Sequence, residues 1–129
     1  MQSISKKSFK SRVLSLLIPL YRFYWALKWK SYAKKNKEIN LIIGGSSTNY
    51  AGWFSTDYYT LDVTKYQHYL KYFSNRKINN VLDEHVLERL TIMQIEEMLK
   101  NIKQFAADNI NIRIAVPDEY RTDKNYTLR

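Results

Sequence analysis

The sequence predicts an α/β fold, an open sheet with helical crossovers, preceded by a basic helical leader. Three observations predict it. Ile39–Ile43 is a nearly continuous apolar run, as a strand buried on both faces requires. Thr91 with Gln94 forms a helix-start signal ahead of an apolar face at three- and four-residue spacing. A second apolar run, Ile110–Val116, follows that helix and stops at Pro117-Asp118. Helices alternating with buried strands make an open α/β sheet.

The chain has 129 residues, enough for one small core. Its 11 Tyr are unusual, and its 3 Gly and 2 Pro are too few for a disordered or collagen-like chain. Cys is absent, which excludes disulfides, thiolate metal sites and cysteine nucleophiles. The net charge of +9 is confined to one end. Residues 1–38 hold ten Lys or Arg against the single acid Glu38, whereas residues 39–129 hold eleven of each sign. This break marks a boundary between a leader, 1–38, and a balanced module, 39–129. With the charge so confined, nucleic-acid binding by the whole chain loses its warrant.

In the leader, Leu16, Leu20, Phe23 and Leu27 share one helix face, and Trp25, Trp29 and Tyr32 extend or flank it. Pro19 favours a kink, so the segment reads as two short helices or one bent amphipathic helix ending among Tyr32–Lys37. The richest window, Val13–Leu27, is 15 residues with Arg22 inside, short of the roughly 20 that a span needs. No small-residue cleavage site follows it. Three readings stand: packing on the following module, contact with an anionic membrane surface, and, behind these, a true span.

In the module, Gly44, Gly45 and Ser46 open a turn after the first strand, where backbone amides can hold a polar or anionic group. Gly52–Asp57 reads as a short strand ending in an acid, 13 residues after Gly44. An acid at a second strand end accepts ribose hydroxyls in nucleoside-binding sheets. Asp62 follows beside a further possible edge at Leu61–Thr64, and Thr64 or Ser74 starts helical or loop structure. Tyr66, Tyr69, Leu70, Tyr72 and Phe73 read as packing residues. Asn79–Leu82 is a short strand running into Glu84 and His85. The helix from Thr91 reaches about Ala107, and Asn109 ends it. Gly44, Asp57, Asp62, His85 and Asp118 all fall at strand ends, where open sheets bind ligands. Two histidines, His68 and His85, with no metal-binding motif give no metal site, and no nucleophile elbow is present.

Residues 39–120 resemble the class I S-adenosylmethionine-dependent methyltransferases, and within them a bacterial group associated with cell-surface sugar biosynthesis. The resemblance lies in Ile39–Gly45 as first strand and glycine turn, and in Gly52–Asp57 and Leu61–Thr64 against steps of the form GW…D and LDIT. It continues in Glu84–Thr91 against EHVxEHLT and in Arg113–Asp118, which reads RIAVPD. It implies a partial Rossmann-like sheet, S-adenosylmethionine as cofactor and a small-molecule, sugar or glycolipid methyl acceptor. It further implies a cytoplasmic location peripheral to the inner membrane face. Gly44, Gly45 and Ser46 would face the methionine part, Asp57 the ribose and Asp62 the adenine. Glu84 and His85 would line the cofactor or acceptor side, with His85 the one neutral-pH base of the matched region.

The chain departs from the pattern at Ser46, where a further glycine is usual, and at Arg89, where a second histidine is usual. The family continues with more helix and two antiparallel edge strands. The chain therefore reads as truncated at the C-terminus, with Ile110–Val116 left as an apolar edge that self-association or a partner would cover. The alternative is a non-catalytic, methyltransferase-like remnant that binds a protein partner or a membrane surface.

Overall fold

The computed structural model describes residues 3–45 and 48–117. The chain divides into two compact units, 1–37 and 38–129.

The first unit is one helix, α1 (Ser3–Lys35). It runs through Pro19 without a break, so the expected alternative of two short helices is not what forms. Proline removes one backbone donor and crowds the preceding turn; here the helix continues on both sides of it over 33 residues. The Ser15 hydroxyl turns back to donate to the Arg12 carbonyl at 2.7 Å, beside the proline turn. Lys34 and Lys35 occupy the last turn, where the helix dipole favours cations. The amphipathic reading needs a correction. Apolar residues cover most of the middle of α1, and the bases gather toward its two ends rather than on one opposite face.

The second unit is a four-stranded sheet, β1 (Ile39–Ile43), β2 (Phe54–Ser55), β3 (Ile78–Glu84) and β4 (Ala106–Ala115), in the order β2-β1-β3-β4. Every pairing is parallel. This is a generic Rossmann-like arrangement with helices α2 (Tyr66–Phe73) and α3 (Ile92–Phe105) in the crossovers. Ile39, Leu41 and Ile42 are fully buried, as the nearly continuous apolar run of β1 required, and only Asn40 interrupts it. The chain leaves β1 toward β2 on one side and crosses through α2 to β3 on the other. The C-terminal ends of β1 and β3 therefore form the switch point at which open sheets hold ligands.

Several elements differ from the sequence reading. β2 pairs over only Phe54 and Ser55. Leu61–Thr64 is a turn rather than an edge strand, and α2 starts at Tyr66 behind Lys65, which makes no side-chain cap. α3 ends at Phe105 and β4 begins at once, so Asn109 lies within the strand instead of ending the helix. The capping box at Thr91 forms as read. The Thr91 hydroxyl accepts from the Gln94 N–H at 3.2 Å, and the Gln94 side chain accepts from the Thr91 N–H at 2.9 Å.

The core joins α2 and α3 through aromatics. Tyr69 and Phe105 stack at 5.9 Å between centroids, with Phe73 against both. Across the sheet, Asn40, Asn80 and Asn111 stand in register on β1, β3 and β4. Their amides form a ladder, Asn80 donating to Asn40 at 2.6 Å and Asn111 to Asn80 at 3.1 Å. Among the described residues β4 is an open edge, and it exposes Ile112 and Ile114, in keeping with the apolar edge expected there.

Candidate functional site

A cleft of about 740 Å³ opens at the switch point. Its size lies in the range of small-molecule sites, roughly 300–1,000 Å³. Its walls come from the end of β1 (Ile43, Gly44), the segment Asp57–Lys65, and the approach to α3 (Val86, Arg89, Gln94).

The segment after β2 is held by its own acids and by distant residues. The Asp57 carboxylate accepts from the N–H groups of Tyr59 and Thr60, each at 3.0 Å, an Asx-type turn. Asp62 repeats the device, its carboxylate accepting from the Thr64 N–H at 3.0 Å and the Thr64 hydroxyl at 2.7 Å. From α2, the Tyr72 hydroxyl donates to the Thr60 carbonyl at 3.0 Å. His68 Nδ1 accepts from the Asp62 N–H at 3.0 Å. From α3, the Asn101 amide donates to the Val63 carbonyl at 3.2 Å. A loop anchored at Thr60, Asp62 and Val63 presents its outer side to the cleft already ordered, which lowers the entropy cost of holding a ligand.

The glycine turn is shaped by β3. Gly44 has φ +78°, and a Cβ there would lie 2.6 Å from the Glu84 carbonyl oxygen and 2.4 Å from Val86 Cγ2. Only glycine meets both demands. At Gly45 a Cβ would approach Ile42 Cγ2 to 2.4 Å, and the Gly45 carbonyl accepts from the Ser55 hydroxyl. The pair of glycines therefore lets the β1 turn close on the end of β3.

Gly44, Asp57 and Asp62 are brought together on the cleft wall. Gly45 and Glu84 are not on that wall. Glu84 accepts from the Thr48 hydroxyl at 2.6 Å and so ties the end of β3 to the turn after β1. His85 is also outside the cleft wall. It has φ +60°, a conformation uncommon outside glycine. Its N–H donates to the Ala115 carbonyl at 3.0 Å, and its Nδ1 lies 3.4 Å from Glu88 Oε1, an ion pair when the ring is protonated. Ser46 and Asp118 lie outside the described residues.

Among the cleft residues that the sequence did not single out as ligand contacts are Tyr58, Tyr59, Lys65 and Arg89. Tyr58 and Tyr59 are exposed, with rings 5.7 Å apart in a T-shape. Arg89 was noted in the sequence only as a departure from the resemblance, at a position where a second histidine was expected. Asp83 was also missed. It is 1% exposed at the end of β3, and one carboxylate oxygen accepts from the Val86 N–H at 3.0 Å while the other has no partner. Burial raises its pKa, against the lowering effect of the Val86 N–H, and the Glu88 charge raises it further. Burial likewise raises the Tyr69 phenol pKa, and the charge of Asp62 adds to it. Among the described residues no cluster of His, Asp and Glu is arranged for a metal.

Comparison with protein-family models, with curated proteins and with solved structures found no match to this chain.

Proposed function

We propose that the second unit binds S-adenosylmethionine in the switch-point cleft and serves methyl transfer to a small-molecule or glycan acceptor. The observation that supports this is the gathering of Gly44, Asp57 and Asp62 on one cleft wall beside two exposed tyrosines. The donor set suits the cofactor. Carboxylates can accept the ribose diol, an exposed tyrosine ring can stack on the adenine, and Arg89 can pair with the amino-acid carboxylate. Bound there, the cofactor supplies an electrophilic methyl group. The chain's own task is to orient it and exclude water, the work of the anchored loop 57–65.

A second reading is binding without catalysis, favoured by the place of His85. His85, at the end of β3, lies beside Glu88 and does not line the cleft, so among the described residues no histidine on the cleft wall meets an acceptor that must lose a proton. Isothermal titration of the full chain with S-adenosylmethionine tests both readings. Saturable binding below millimolar is expected, and no heat at millimolar cofactor rejects both. With binding established, transfer of labelled methyl to sugar or glycolipid acceptors decides for the enzyme, and its absence for the binding module.

A further inference from the structure

We propose that α1 lies in the surface of an anionic lipid bilayer, with the face carrying Val13, Leu16, Leu17, Leu20, Phe23 and Leu27 in the acyl boundary. These positions recur at three- and four-residue steps and form the most exposed side of a helix middle that is apolar most of the way round, with the bases gathered at its two ends. All are exposed, Leu16 by 72%, Leu20 by 66% and Phe23 by 65%. A contiguous row of large apolar side chains in water is a contact surface rather than the ordinary scatter of single exposed leucines.

Charge selects the occupant. Lys10 and Arg12 precede the row, Lys28, Lys30, Lys34 and Lys35 follow it, and α1 contains no acid. A second copy would bring the same cations against them and is disfavoured. Nucleic acid would satisfy the cations and leave the leucines and Phe23 without a partner. A bilayer with anionic headgroups satisfies both. The Lys28 Nζ lies 5.0 Å from the Tyr24 ring centroid and 5.1 Å from that of Trp25, cation–π contacts that hold this base beside the aromatics of the helix. The helix lies in the surface and does not cross it. Val13–Leu27 spans about 22 Å at 1.5 Å per residue, against a hydrocarbon core of about 30 Å. Among the described residues no helix is long and apolar enough to cross a membrane.

The test is co-sedimentation of the full chain with vesicles of phosphatidylcholine alone or mixed with phosphatidylglycerol. Binding is expected to be about tenfold or more tighter to the anionic vesicles and to weaken with salt. Leu20→Asp is expected to weaken it by about tenfold, and Lys34→Gln by about fivefold. Both positions are exposed, and circular dichroism checks that the variants remain folded. Equal binding to both vesicle types, or none, overturns the proposal. So does an affinity for oligonucleotide that matches the vesicles and ignores Leu20→Asp, or a dimer that Leu20→Asp dissociates in a chain that binds no vesicles. Cofactor titration of the same variants is independent: its failure removes the methyltransferase reading and leaves this one standing.

Discussion

The Thr48 hydroxyl donates to the Glu84 carboxylate at 2.6 Å, across a separation of 36 residues. This bond joins the turn after β1 to the end of β3, the two strand ends that flank the switch point. The turn is thus held from both sides, by Glu84 and by the close approach of Gly44 to the Glu84 carbonyl. The glycines of this turn have a packing reason to be glycines whatever the cleft binds.

That reason separates two substitutions of the same kind. Gly44→Ala meets a positive φ and a backbone oxygen at 2.6 Å, whereas Gly52, at φ +81°, has open space around its missing Cβ. Gly52→Ala is expected to cost about 1–2 kcal/mol, the left-handed backbone penalty alone. Gly44→Ala is expected to cost more than about 3 kcal/mol, since backbone must also shift. Chemical denaturation of both variants measures the difference, and equal losses would show that the approach to β3 is not tight.

Thr91→Ala is expected to lower stability by about 1 kcal/mol, because it orphans the Gln94 N–H at the first turn of α3. Thr91→Ser, which keeps the hydroxyl, is expected to recover most of that loss in thermal melts. If alanine and serine melt alike, the cap contributes nothing.

Asp83 predicts a pH dependence of definite sign. Its folded-state pKa is raised by burial, so the fold favours the protonated carboxyl. The stability it contributes is full below the unfolded value, about 3.9, and is lost as pH rises through the folded value. Asp83→Asn keeps an acceptor for the Val86 N–H and cannot ionise. Its melting temperature is expected to approach that of the parent in acid and to exceed it at neutral pH. A variant that is less stable than the parent at neutral pH, and by more than in acid, would reverse the sign.

The legible parts of this chain are those whose signal is local. β1 follows from an apolar run broken only at Asn40, and the start of α3 follows from a reciprocal bond between residues three apart. What was hidden depends on distant partners. β2 exists because Leu41 and Ile42 offer it an edge. α2 carries no cap signal, since Lys65 provides none, and it is held by aromatics from α3. The anchored loop could not be read from Asp57–Lys65 alone, because Tyr72 and Asn101 hold it from two helices. At the site, sequence placed Gly44, Asp57 and Asp62 at strand ends. It could not show that Glu84 turns to Thr48 and His85 to Glu88, since both depend on the geometry at the end of β3.

Asp57 has two roles that substitution can divide. Its carboxylate orders the turn by accepting from Tyr59 and Thr60, and it stands on the cleft wall where a ribose diol would be recognised. Asp57→Asn retains a side-chain carbonyl for the turn and removes the charge that favours two hydroxyl donors. Asp57→Ala removes both. Asparagine is therefore expected to melt within about 0.5 kcal/mol of the parent and to bind S-adenosylmethionine at least about tenfold more weakly, since charged acceptors make the stronger bonds. Alanine is expected to lose about 1–2 kcal/mol of stability as well. Denaturation and calorimetry on the same samples measure the two effects. Unchanged cofactor affinity in a stable Asp57→Asn would leave this carboxylate a turn former alone, and the ribose contact would have to be sought at Asp62.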